Sequence, residues 1–331
     1  MANKIRWGVL GVARIATVKV IPAMQRGVLS EVTAIASRDG AKAAQAAKDL
    51  GIAKAYGSYE ELLADPEIDA VYNPLPNHLH VPLSIQAAEA GKHVLCEKPI
   101  ALTVEEAREL LAARDRTGVK MGEAFMVHVH PQWLRAQDIL QSGEIGELRA
   151  FHFVFSYNNR DPHNIRNNPA MGGGAIMDIG CYPIHTSRWM FGAEPRRVSA
   201  LIENDPEFGT DRLSSAILDY PQGHAVLTCS TQMGPYQRAL LFGTKGRIEL
   251  EIPVNALPDQ PAKILVQTTE LRTESVPVCD QYTLQGDAFS RAILEDGDVP
   301  VSLEDAIRNM AVIDAMLRSS AAGCWQAPVG L

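Results

Sequence analysis

The stretch Ile5-Arg6-Trp7-Gly8-Val9-Leu10-Gly11-Val12-Ala13-Arg14-Ile15-Ala16 decides the fold. A short apolar run, Ile5 to Leu10, leads into a glycine turn and then a helical pattern from Arg14 to about Arg26. Read from Gly11, the turn is G-x-A-x-x-A, a relaxed variant of the dinucleotide fingerprint. The glycine permits the tight turn. Ala13 is small enough for backbone to approach a pyrophosphate, and Ala16 for helix and strand to pack closely. The helix start at Ala13, Arg14 and Ile15 offers free N–H groups and a positive dipole end to phosphate. The pattern is weak by itself. At the head of a strand–helix series it makes a bound dinucleotide the expectation over a plain tight turn.

Working outward, strands are expected at Val32–Ser37, Asp69–Pro74, His93–Cys96 and Lys120–Phe125. Between them lie helical patterns: Ala41–Leu50 closed by Gly51, a short helix opened by the capping box Ser58–Glu61, Pro82–Ala90 closed by Gly91, and a helix from the box Thr103–Glu106 to Gly118. That alternation means βαβ units and a parallel sheet. The second half changes character. A helix at Pro131–Ser142, a half-buried strand at Leu148–Tyr157 and a helix at Ala175–Phe191 precede strand-like runs at Arg197–Glu203, Ser214–Tyr220, Ala225–Thr231, Gln237–Gly243, Arg247–Ile252 and Lys263–Thr268. A helix at Leu303–Ala321, opened by Ser302 with Asp305 three residues on, ends the chain. The expected class is α/β, with a dinucleotide-binding domain over 1–123 and, over 124–331, an α+β domain with a largely antiparallel sheet.

The 331 residues exceed one typical core, and a net charge of -8 leans away from nucleic acid. Cys96, Cys181, Cys229, Cys279 and Cys324 form no CxxC pair, so neither a disulfide framework nor a zinc site is expected. His78, His80, His128 and His130 lack supporting metal-ligand spacing, and no metal is expected. No apolar run of ~18 residues exists and the N-terminus opens a strand at once, so the expectation is a cytoplasmic protein without membrane span or leader.

The end of the second strand bears on the cofactor. A site for NAD usually ends that strand in Asp or Glu, on the ribose 2′-OH. Here Ser37-Arg38 stand there, a hydroxyl and a guanidinium that suit a 2′-phosphate. NADP is therefore expected, with NAD as the alternative. Two further segments look chemical. Cys96-Glu97-Lys98-Pro99 follows a parallel strand at the edge where such sheets bind ligands. Gly172-Gly173-Gly174 precedes Asp178, Tyr182 and His185, which fall at i, i+4 and i+7 on one helical stripe, with Pro183 as a possible interruption. The glycines would let backbone come close to a ligand. An unperturbed phenol titrates near ~10. An ammonium such as Lys98 nearby would lower that and steady an alkoxide. Asp178 would orient substrate or lysine, and His185 is either a substrate contact or a core histidine.

On these residues the chain resembles the Gfo/Idh/MocA oxidoreductases, nearly end to end. The resemblance rests on Gly11-x-Ala13-x-x-Ala16, Pro74-Leu75-Pro76-Asn77-His78-Leu79-His80, Glu97-Lys98-Pro99, Gly172 to Tyr182, and Gly243-Thr244-Lys245-Gly246-Arg247-Ile248. It implies a Rossmann domain followed by a domain with a large open sheet that carries the interface of a homodimer or homotetramer. It implies that Lys98 is the catalytic lysine, with Asp178 and Tyr182 beside it. Pro74, Asn77, His80 and Glu97 would join the cofactor site. Asn164-Ile165-Arg166 resembles a substrate-loop element of the branch that holds glucose-fructose oxidoreductase, NADP-dependent xylose dehydrogenases and dihydrodiol dehydrogenases. His128 departs from the arginine of many relatives.

The expected reaction is hydride transfer between nicotinamide and a sugar, cyclic polyol or keto-sugar, with Lys98 and Tyr182 at the reacting oxygen. Two other functions fit parts of the pattern. A non-catalytic dinucleotide-binding sensor would bind NADP without turnover. A redox-neutral, NAD-dependent glycosidase would release a leaving group without net cofactor reduction.

Overall fold

A computed structural model describes residues 4–330. It divides into two compact units, one running to Val129 and taking in Asp280–Ala306, the other made of His130–Cys279 and Ile307 onward. This differs from a single cut near Glu123 with everything later in the second domain. The reason lies in the helix Gln281–Leu294, which sequence periodicity left unassigned. Its Phe289 packs on Trp7 with ring centroids 5.6 Å apart, and its Ser290 Oγ accepts from Trp7 Nε1 at 3.1 Å. Asp287 accepts from the backbone N–H of Val28 and Leu29, both at 2.9 Å. A doubly wound sheet must be covered on both faces; here a returning segment supplies part of that cover.

The first unit holds a parallel sheet of six strands: β1 (Ile5–Leu10), β2 (Ser30–Ala36), β3 (Lys54–Tyr56), β4 (Ala70–Asn73), β5 (His93–Cys96) and β6 (Met121–Glu123). Their order is β3-β2-β1-β4-β5-β6, so the order reverses between β1 and β4. Ligands of such sheets sit at that reversal, beyond the strands' carboxyl ends. The helices end where expected: Gly40–Leu50 at Gly51, and Val104–Thr117 at Gly118, both glycines left-handed. Ser58 and Thr103 cap their helices as the box predicts, accepting from Glu61 and Glu106 N–H at 3.1 Å.

The second unit is built on eight strands: β7 (Leu148–Asn158), β8 (Arg197–Asn204), β9 (Asp211–Tyr220), β10 (Gly223–Ser230), β11 (Gln232–Gly243), β12 (Arg247–Leu250), β13 (Ala262–Gln267) and β14 (Leu271–Val276). The order is β14-β13-β12-β11-β7-β10-β9-β8, antiparallel except where β10 runs parallel to β7. Strand β7 alternates as predicted. Phe151, Phe153 and Phe155 are buried on one face, where Trp133 stacks on Phe153 at 6.4 Å. The other face carries exposed Leu201, Ile217 and Tyr236. No helix among the described residues is long and apolar enough to cross a membrane.

Candidate active site

Site residues lie in both units. In the first, Gly11 adopts φ +94°, and a Cβ there would stand 2.7 Å from Leu75 Cδ2. The left-handed φ requires glycine, and a side chain would also have to displace Leu75. Ala16 is fully buried behind the turn, as close packing of helix on strand demands. The helix beyond opens into a wider turn at Ala16–Val20, directly before Pro22, which lacks the N–H of a regular turn. At the end of β2, Ser37 Oγ accepts from Asp39 N–H at 3.1 Å and Arg38 is exposed. The Asp39 carboxylate, one residue on, caps the next helix through Ala41 and Lys42 N–H.

The backbone around Lys98 is pinned on both sides. Glu97 N–H donates to Asn73 O at 3.0 Å, and the Ile100 N–H donates to Glu123 Oε1 at 2.7 Å. His80 reaches the Pro99 carbonyl with Nδ1 at 2.8 Å and the Leu75 carbonyl with Nε2 at 2.7 Å. The Lys98–Pro99 bond is cis. The Glu97 carboxylate is aimed by Tyr72, whose hydroxyl donates to Oε1 at 2.5 Å. His80 is 1 % exposed, with its ring against backbone carbonyls at the end of the sheet where β4 and β5 exit. Burial pushes its imidazole down to about 4, against the pull of the two carbonyls. Asn77 starts a short helical turn, Asn77–Leu79, beyond buried Pro74.

In the second unit, the three glycines serve the chain itself. A Cβ on Gly173 would lie 2.5 Å from the Arg166 carbonyl oxygen. Gly174, at φ +117°, would put one 1.9 Å from Asp211 Oδ1. Asp211 reaches behind the turn to accept from Ile176 N–H at 2.8 Å, so it caps the following helix from β9. Burial pushes its carboxyl up, and the backbone donors oppose this. The helix starts with a wide turn at Ile176–Gly180 and continues as Cys181–Phe191. Pro183 follows the wide turn as Pro22 does, so the proline ends no helix. Asp178 Oδ2 accepts from Tyr157 Oη at 2.5 Å and pairs with Arg166 Nε at 2.7 Å. Tyr182 packs against Phe155, centroids 6.2 Å apart, and is 5 % exposed. His185 is 2 % exposed, with the Trp189 ring 6.3 Å away. Asn164 Oδ1 accepts from Arg166 N–H at 3.1 Å, shaping the loop before the glycines.

Residues 5–125 match an oxidoreductase family with an NAD-binding Rossmann fold, and 133–249 match the GFO/IDH/MocA C-terminal domain. The chain belongs to the GFO/IDH/MocA oxidoreductases. An uncharacterised oxidoreductase of Rhizobium meliloti is 49% identical, over 97% of this chain and 98% of that one. The NADP-dependent D-xylose 1-dehydrogenase 2 of Haloferax volcanii is 38% identical, over 96% and 98%. Among solved structures, the 3-ketoreductase KijD10 of Actinomadura kijaniata, in complex with NADP and TDP-benzene, superposes with TM-score 0.90 at 31% identity, covering 96% and 98%.

Within this GFO/IDH/MocA chain, Gly11, Ser37, Arg38, Pro74, Asn77, Glu97 and Lys98 all stand at or just beyond the carboxyl ends of β1, β2, β4 and β5. Arg166, Asp178 and Tyr157 form one cluster in the second unit. Sequence reading missed Tyr157, Asp211, Tyr72 and Asp39. Only Asp39 left a signal, as the capping residue before an alanine-rich helix. Tyr157 and Asp211 act across strands far apart in the chain, which no local spacing records.

Proposed function

We propose that this chain is an NADP-dependent oxidoreductase that transfers a hydride between nicotinamide and a sugar, cyclic polyol or keto-sugar carbon, with Lys98 and Tyr182 handling the reacting oxygen. The observation that carries the reading is the clamp around Lys98. The Glu97 N–H donates to Asn73 O, the Ile100 N–H donates to Glu123, and the His80 ring lies against the Pro99 carbonyl, which fixes the backbone on both sides of one lysine at the ligand edge of the sheet. NADP, when bound, supplies or accepts the hydride. The Gly11 turn, Ala13 and the N–H groups at Arg14 and Ile15 would hold its pyrophosphate. Ser37 and Arg38 would hold the 2′-phosphate, a reading supported by the commitment of the Asp39 carboxylate to its own helix and by the NADP named for the xylose dehydrogenase and the ketoreductase. Pro74, Asn77 and Glu97 would line the rest of that site.

Tyr182 exchanges the proton of the reacting oxygen and the Lys98 ammonium steadies its negative charge. Asp178, with Asn164, Arg166 and His185 on the substrate side, orients the sugar. Replacing Lys98 by Met should lower turnover by roughly a hundredfold or more, while fluorescence titration shows NADPH still bound. Near-normal turnover in that variant would remove the assignment. We also propose a homodimer or homotetramer formed through the outward face of the eight-stranded sheet, in the cytoplasm. A row running Ile217, Val226, His152, Leu240 crosses that face in register, and Ile217 is 43% exposed. Light scattering that gives the mass of one 36.0 kDa chain would refute the assembly.

A further inference from the structure

The Asp178 carboxylate has its Oδ2 filled twice, by the Tyr157 hydroxyl at 2.5 Å and by Arg166 Nε at 2.7 Å. Its side chain is 12 % exposed. Rotating it would break two charge-assisted hydrogen bonds at once, in a setting with little water to replace them. Each donor is itself fixed. Tyr157 lies near the end of β7, on the helix-covered side that Phe151, Phe153 and Phe155 also face. The Arg166 backbone is built into the glycine turn: Gly174 N–H donates to its carbonyl at 2.8 Å, and Asn164 accepts from its N–H. Burial and the neighbouring carboxylate push the Tyr157 phenol well above its ordinary range, so it stays a protonated donor. It therefore keeps its proton on the Asp178 hydrogen bond, in contrast to the role given to Tyr182.

We infer that Tyr157 is a positioning residue of the reaction: it holds the Asp178 carboxylate in one orientation and affects turnover only through it. The inference rests on the proposed reading in which Asp178 orients the substrate. Arg166 is the second support of the same oxygen, through Nε at 2.7 Å.

The test is a double-mutant cycle with Tyr157→Phe and Asp178→Asn, assayed by nicotinamide absorbance on whichever sugar the wild type turns over from a panel of aldoses, polyols and keto-sugars, beside NADPH titrations. Losing a hydrogen bond to a charged group should lower kcat roughly tenfold, with KM and NADPH affinity within about twofold if the group only orients. In the Asp178→Asn background, Tyr157→Phe should change kcat by less than about twofold. Full kcat in Tyr157→Phe, or the same loss in both backgrounds, would overturn the inference. If the wild-type protein turns over none of the sugars, the substrate reading fails, and the triad is read from thermal unfolding with Asp178→Ala as the second variant. Tyr157→Phe should then lower the midpoint of the wild type and leave that of Asp178→Ala unchanged, whereas equal shifts in both would overturn it.

Discussion

At the scale of single residues, cofactor choice turns on one guanidinium. Arg38 is exposed beside Ser37, and the next residue, Asp39, commits its carboxylate to capping a helix. Placing a carboxylate at position 38 would repel a 2′-phosphate and offer two acceptors to a ribose 2′-OH. Arg38→Asp should weaken NADPH roughly ten- to a hundredfold and leave NADH as tight or tighter. Equal loss of both cofactors in fluorescence titrations would mean that Arg38 serves folding instead. His80 shows how a residue can sit in a functional motif and act on backbone. Neutral, it has one N–H to donate to the Pro99 or the Leu75 carbonyl, and the ring sits within 2.8 Å of both, between the exits of β5 and β4.

At the scale of elements, the helix that carries Asp178 and Tyr182 is set by its first turn. That turn is held by Asp211 from β9, and the cap leaves no room for a Cβ at Gly174. Gly174→Ala meets both a left-handed φ and a carboxylate oxygen at 1.9 Å. It should cost roughly 2–4 kcal/mol of stability and lower kcat at temperatures where the protein stays folded. An unchanged thermal midpoint would show that Asp211 moves aside freely. The regular elements with strong period or caps were legible from sequence: β1 and β5 fall on the residues expected, and the helices closed by Gly51 and Gly118 end there. The short edge strand β3, the polar edge strand β14 and the helix Gln281–Leu294 were not. Strand β3 has three residues and β14 carries Arg272, Thr273, Glu274 and Ser275 in a row, so neither shows an apolar period. The helix contains Gly286, where a Cβ would lie 2.9 Å from Met24 Cγ, a contact no local pattern reveals. The glycines at 172–174 were legible as a place of close approach, but what approaches is Arg166 backbone and Asp211.

At the scale of the whole molecule, buried imidazoles make stability depend on pH. Burial holds His80 and His130 down to about 4, against an ordinary value of 6.5, and pushes half-buried His93 in the same direction. Between about pH 6.5 and 4 the unfolded chain binds protons that the folded chain refuses, so stability falls as pH falls through that window. Asp211, pushed up by burial, works the opposite way, but it is one group against three. His80 and His130 should each contribute up to about 3 kcal/mol. The thermal midpoint should therefore drop between pH 7 and pH 5. His130→Asn, which keeps a cap for the helix at Pro131, should flatten that slope, and a slope unchanged in the variant would assign it elsewhere.

The central claim joins a cofactor and a chemistry, and one measurement addresses both. The purified protein, checked for cofactor already bound, is titrated with NADPH and NADH by fluorescence, and the NADPH complex is then challenged with aldoses, polyols and keto-sugars while the absorbance of reduced nicotinamide is followed. The account predicts tighter binding of NADPH and oxidation of it by one class of sugar. Preference for NADH, or tight NADPH binding with no turnover across the panel, would contradict it.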